Sequence, residues 1–147
     1  MDLDQFSQRM VDLLPQLLRG FSRQEHNSLT RGEITLPQFS AMECLVRQGG
    51  CPMHQLALLL NISKPAATGL INRLLRQQLA RRQHDTTDRR VVRVTLTAKG
   101  RRILAAIWAQ KRRTLTRVFG QLTPGERAQY LRTLERVTDI LSRQEPR

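Results

Sequence analysis

The chain has 147 residues, enough for one domain or one core with helical extensions, since domains typically run about 100 to 150 residues. No apolar stretch approaches the roughly 18 residues a membrane span needs, and the opening MDLDQFSQRM is acidic and amphipathic, unlike a secretory signal; a soluble cytoplasmic protein with no membrane attachment is expected. The formal net charge of +13 rests on 25 basic residues, of which only Lys64, Lys99 and Lys111 are lysine. Arginine presents a planar fork suited to phosphate and guanine, so the bias favours nucleic acid as partner. Residues 61–102 hold 11 basic and two acidic side chains, a net of +9 that leaves +4 for the rest of the chain. Charge concentrated in this way is an electrostatic footprint.

Enzyme chemistry is not expected. The sequence has no Gly-rich phosphate loop, no nucleophile-base spacing and no clustered carboxylates, and no cofactor is implied. His26, His54 and His84 lack the i, i+4 pairing that puts two metal ligands on one helix face, so no metal site is predicted. Cys44 and Cys51 form no disulfide framework and suit a reducing compartment. They read as a small buried hydrophobe and a loop residue, with a thiol redox sensor as the alternative.

In chain order, Phe6, Met10, Leu13, Leu14, Leu17, Leu18 and Phe21 recur at three- and four-residue steps and predict an amphipathic helix over 4–25, kinked or short of one hydrogen bond at Pro15. After a linker, NSLTRGEIT, Thr35 caps a second helix that buries Phe39, Met42, Leu45 and Val46 and stops at Gly49-Gly50. Pro52 opens a short helix with Leu56, Ala57, Leu59 and Leu60, and Asn61 stands where a left-handed residue turns the chain. Ser63 caps a helix running to about Gln78, with Ala66, Ala67, Leu70, Ile71, Leu74 and Leu75 inward. Residues 80–84 and 91–96 make a hairpin with Val92, Val94 and Leu96 on one face. Thr97 begins a long helix, and Thr123-Pro124-Gly125-Glu126 forms a capping box that launches the last one, lined by Leu131, Leu134, Val137, Ile140 and Leu141.

Residues 53–75 have the layout of a helix-turn-helix, with Ala57 small for close approach, Asn61 at the turn and Leu70 as anchor. A hairpin with a basic tip follows, and the order makes a winged helix. An α-helix fits the major groove, and its exposed N-terminal face reaches base edges. Here that face is Ser63, Lys64, Pro65, Thr68, Gly69, Asn72 and Arg73, with Lys64, Thr68 and Asn72 on one stripe and no acid among them. In the hairpin tip, Arg89 and Arg90 are candidate DNA contacts, one entering the minor groove and the other meeting phosphate or Asp88, while Asp85 and Asp88 shape the turn.

The run ISKPAATGLINRLLRQQLARRQHDTTDRRVVRVTLTAKG resembles the MarR family of winged-helix transcriptional regulators, whose signature D-x-x-D-x-R-x-x-x-V-x-L-T-x-x-G is met by Asp85, Asp88, Arg90, Val94, Leu96, Thr97 and Gly100. LPQFSAMECLVRQGG and QLALLLNIS are similar to the family's second and third helices. Gln78 departs from the pattern, standing where the family usually has glycine. The resemblance implies a mainly α fold with a small β-hairpin: a winged helix-turn-helix lobe over 35–97, an N-terminal dimerisation helix and linker over 1–34, and C-terminal dimerisation helices over 98–147. It also implies a homodimer, acting as a repressor on a pseudo-palindromic operator in double-stranded DNA and released by a small lipophilic or phenolic effector. Arg19, Phe39, Met42 and Trp108 are candidates for the effector cleft. A nonspecific architectural nucleic-acid-binding protein is the alternative function.

Overall fold

The computed structural model describes residues 1–144. Its elements are α1 (Leu3–Gln24), α2 (Leu36–Arg47), β1 (Cys51–Pro52), α3 (Met53–Leu59), α4 (Lys64–Arg76), β2 (Ala80–His84), β3 (Val92–Leu96), α5 (Ala98–Phe119) and α6 (Pro124–Gln144). The fold is mainly helical with one three-stranded antiparallel sheet in the order β1-β3-β2, a winged helix. Two units divide the chain, Met1–Gln110 and Lys111–Arg147, so α5 starts in the first and ends in the second.

Local chemistry sets the helix starts. Asp2 and Thr35 each form a capping box, with Gln5 and Gln38 respectively reaching back to the cap amide. Ser63 caps α4 by accepting from the Ala66 amide at 3.3 Å. Pro15 does not end α1, which runs through it, because one missing donor costs a single hydrogen bond in a 22-residue helix. The turn at Asn61 has φ 50, the left-handed geometry its position calls for.

The first unit's core joins Phe39, Met42 and Leu45 of α2, Leu56 of α3, Leu70, Ile71 and Leu74 of α4, Val94 and Leu96 of β3, and Leu104 and Ile107 of α5. Two expected core residues lie outside it. Val46 is 37% exposed, and Ala66 is exposed because it follows the α4 cap on the side facing away from α2 and α3. Val92 shares the face of Val94 and Leu96 but stays partly exposed, since it sits at the outer end of the hairpin beyond the helices.

The strand β1 was not foreseen. Gly49 (φ 62) and Gly50 (φ 91) turn the chain sharply after α2, so that Cys51 pairs with Val94 and Pro52 with Arg93. A side chain at Gly50 would strike Thr95 and crowd the Val94 carbonyl, so the third strand exists only because this position is glycine.

α1 buries none of its residues, and Val11, Leu13, Leu14 and Leu18 lie open along it. In the second unit, Thr123 and Glu126 form the expected capping box, the Thr123 amide donating to Glu126 at 2.7 Å. Arg127 donates to the carbonyls of Phe119 and Leu122, and the Phe119 and Tyr130 rings lie 5.1 Å apart, closing the α5–α6 turn. Leu131, Leu134, Val137, Ile140 and Leu141 form an exposed apolar stripe on α6.

The wing is tied to α5 at one joint. The Thr97 amide donates to the Leu79 carbonyl at 3.0 Å, its hydroxyl donates to the Gln78 carbonyl at 2.7 Å and accepts from the Gly100 amide, and Lys99 reaches the Gln77 carbonyl at 2.9 Å. Gln78, in the family's glycine position, adopts φ 58, so the left-handed cap is kept despite the side chain. At Gly100 any β-carbon would overlap the Leu79 carbonyl. We therefore expect Gly100→Ala to destabilise the protein by about 2–3 kcal/mol through overpacking, and Gln78→Gly to stabilise it by about 0.5–1 kcal/mol by relieving left-handed strain. Urea unfolding followed by circular dichroism measures both.

Candidate nucleic-acid interface

The α3–α4 pair presents the α4 face as the spacing predicts. Ser63, Lys64, Pro65, Thr68 and Arg73 are exposed, and Gly69 and Asn72 are half-buried. A β-carbon at Gly69 would meet nothing within 4 Å, so the fold does not require glycine there. Arg76 extends the Lys64–Thr68–Asn72 stripe by one more turn and is also exposed.

The wing tip is a self-contained turn. Asp85 accepts from the Thr87 amide at 2.8 Å, the Thr87 hydroxyl at 2.5 Å and the Asp88 amide at 3.2 Å. The Asp85 and Val91 backbones close the turn at 2.9 Å. Asp88 accepts from the Arg90 amide at 2.9 Å, so it holds the backbone of Arg90 and not a guanidinium. The His84 Nδ1 donates to the Arg89 carbonyl at 2.9 Å. These contacts leave the Arg89 and Arg90 side chains exposed at the tip.

The cationic partner of Asp85 is Arg93, whose Nη1 lies 3.2 Å from Asp85 while Nη2 donates to the Gly50 carbonyl at 2.5 Å. One guanidinium thus ties the wing tip to the loop after α2. Arg93 is not among the residues that the sequence alone singles out. A usable signal was its alternation with Val92 and Val94, which places it on the opposite sheet face. Nor is Arg82 among them; its Nη2 donates to Asn72 Oδ1 at 3.3 Å from strand to helix. The hydrogen bonds from Thr87, with those from Asp88 and Arg93, hold the Asp85 carboxyl far below the usual aspartate range.

Three of the four cleft candidates share one core, Trp108 packing against the cluster that holds Phe39 and Met42. Phe39 and Met42 are core residues, 7% and 0% exposed. Trp108 is half-buried and donates its Nε1 to Glu43 at 2.8 Å. Arg19, exposed on α1, lines a shallow cavity of about 380 Å³ with Ser22, Arg23, Glu25, His26 and Thr30. Burial pushes the Cys51 thiol up to about 11 and raises Cys44 as well, leaving little thiolate at neutral pH and little chemistry for a redox sensor. Among the described residues no three or more His, Cys, Asp or Glu side chains come together as a metal site, and no helix is long and apolar enough to cross a membrane.

A lobe with an open, acid-free α4 face, a basic wing and this joint defines a winged helix-turn-helix fold. Residues 34–92 match the family model described as the MarR family. The chain is 29% identical over 115 residues to the uncharacterized HTH-type transcriptional regulator YsmB of Bacillus subtilis (strain 168), covering 78% of this chain and 79% of the relative. Among solved structures, a MarR-like transcriptional regulator of Thermotoga maritima superposes with a TM-score of 0.81 at 24% identity, over 98% of this chain and 99% of that one. The PcaV transcriptional regulator of Streptomyces coelicolor, solved in complex with its natural ligand, gives a TM-score of 0.63 at 20% identity, over 95% and 96% of the two chains. The stretch 34–92 is thus similar to the MarR family, and the relatives that match across most of the chain are HTH-type transcriptional regulators.

Asp85→Ala should loosen the wing alone. Amide hydrogen exchange at Thr87 and Asp88 is expected to speed up at least several-fold, with α4 amides unchanged. Because the folded Asp85 value is depressed, its contribution is fully present above the ordinary aspartate value of about 3.9 and is lost as pH falls through the lower folded value. Wing amide shifts in NMR should accordingly hold steady down to about pH 4 and move only below it.

Proposed function

We propose that the protein acts as a homodimeric repressor on a pseudo-palindromic operator and is released by a small lipophilic or phenolic ligand. The single observation that carries the DNA-reading part is the acid-free α4 face of Lys64, Thr68, Asn72 and Arg73 beside a wing tip whose Arg89 and Arg90 are bare. The α4 side chains read base edges in the major groove, and the wing arginines reach the minor groove and its flanking phosphates. Asp85 and Asp88 keep the tip in that shape.

The dimer reading is supported by the open apolar faces of α1 and α6, each too apolar to stay in water. Residues 35–97 form the DNA-binding lobe in this reading, and residues 1–34 and 98–147 form the dimer arms, their last three residues lying outside the described ones. Two lobes then meet half-sites one DNA turn, about 34 Å, apart. Ligand release draws its support from the ligand-bound PcaV neighbour. Arg19, on its cavity, offers a cation to an acidic phenol. The ligand acts only if it binds the released geometry more tightly than the DNA-bound one. Occupying an operator blocks other proteins from the same DNA, hence repression.

Selection of bound fragments from randomised duplexes by the purified protein should return a palindrome, with operator affinity roughly 10³-fold or more above random DNA; a ratio near one would mark an architectural protein instead. About ten phosphate contacts across the dimer give log K against log salt a slope of roughly −9, and Arg89→Ala or Arg90→Ala should flatten it by about 2, one cation per protomer. Gly69→Ala is expected to stabilise the fold by about 0.5–1 kcal/mol yet weaken operator binding, since the β-carbon takes the space through which α4 approaches DNA; thermal unfolding and fluorescence anisotropy separate the two effects. Leu134→Glu should convert a dimer into a folded monomer in sedimentation equilibrium.

A further inference from the structure

The geometry points to Arg82 as a specificity-determining residue: it fixes the hydrogen-bonding sense of Asn72, so that α4 offers DNA donors only at that position and prefers guanine there over adenine. This inference rests on the operator-reading function proposed above. Arg82 pairs with Val94 across the β2–β3 ladder, and Val94 is fully buried in the core that α4 shares. Cross-strand partners project to the same face, so Arg82 emerges on the α4 side of the sheet. From there its Nη2 donates to Asn72 Oδ1 at 3.3 Å.

The consequence follows from the asymmetry of a carboxamide, which carries acceptors on oxygen and donors on nitrogen. Asparagine reads adenine by placing both atoms against one base edge, accepting from N6 and donating to N7. With the oxygen turned toward the wing strand and held by a cation, the NH₂ group faces the other way and only donation is left. Guanine presents two acceptors in the major groove, N7 and O6, and adenine only one, N7, beside a donor. α4 contains no acid, so no competing carboxylate on its own helix draws Arg82 away from Asn72. The contact also joins strand to helix, so a single guanidinium links the two DNA-reading elements.

The experiment uses the full-length protein and its variants Arg82→Met, Arg82→Lys and Asn72→Ala in the randomised-duplex selection. Asn72→Ala should flatten base preference at one symmetric pair of positions, identifying the bases that Asn72 faces. At those positions the wild type should prefer guanine. Arg82→Met, with the donor gone, should shift the preference toward adenine by about tenfold, within the range of one bidentate contact; Arg82→Lys, which retains a donor, should keep guanine. Arg82 is exposed, so both variants are expected to unfold at the wild-type midpoint, which thermal denaturation checks. An Arg82→Met preference identical to wild type would overturn the inference. So would uniform loss of affinity in both Arg82→Met and Asn72→Ala with base preferences intact, which would assign the pair to phosphate. If the wild type itself selects no sequence, the operator-reading function fails first and separately.

Discussion

The joint around Thr97 and Gly100 is the constraint on which the placement of the wing beside α4 depends. Three backbone segments meet there: the end of α4, the start of β2 and the first turn of α5. The carbonyls of Gln77, Gln78 and Leu79, just past the end of α4, would otherwise need water. Lys99 and Thr97 satisfy them, and the absence of a side chain at Gly100 lets α5 approach closely enough to do so. The positions of the wing and of the first turn of α5 relative to the end of α4 are therefore set by the same few hydrogen bonds.

The wing depends on a second, smaller anchor. Arg93 carries a charge-assisted contact to Asp85 at one end and a backbone contact to Gly50 at the other, and the Gly50 carbonyl is available only because the chain takes two left-handed steps after α2. Such ionic hydrogen bonds are stronger than neutral ones. β1 is short, yet it brings the end of α2 into register with the strand that carries the wing.

Much of this was legible in the sequence because it is local. Capping boxes, the helix periodicities, Asn61 at the turn and the alternation of Val92, Val94 and Leu96 follow from spacing alone, and the α4 stripe follows from 3.6-residue geometry. The parts that were not legible are pairings between residues far apart in the chain. Strand β1 is two residues long and begins at a cysteine and a proline, which carries no periodic signal. Arg82–Asn72 and Arg93–Gly50 join positions that only the folded sheet brings together. Phe39 and Met42 read first as core from the α2 spacing and only second as a cleft wall, and both are buried in the core. Gln78 was legible as a departure from the glycine pattern, but its tolerance of the left-handed region depends on how firmly its neighbours are tied down.

The Asx turn at the wing tip bears on kinetics. Asp85 and Asp88 already fix the backbone beneath Arg89 and Arg90 in the free protein, so in the proposed DNA complex little loop entropy is left to lose when the tip meets a groove. A preorganised tip on a strongly cationic lobe favours fast, electrostatically steered encounters with any duplex. Right and wrong sequences are then met at similar rates, and discrimination falls on how long each complex survives.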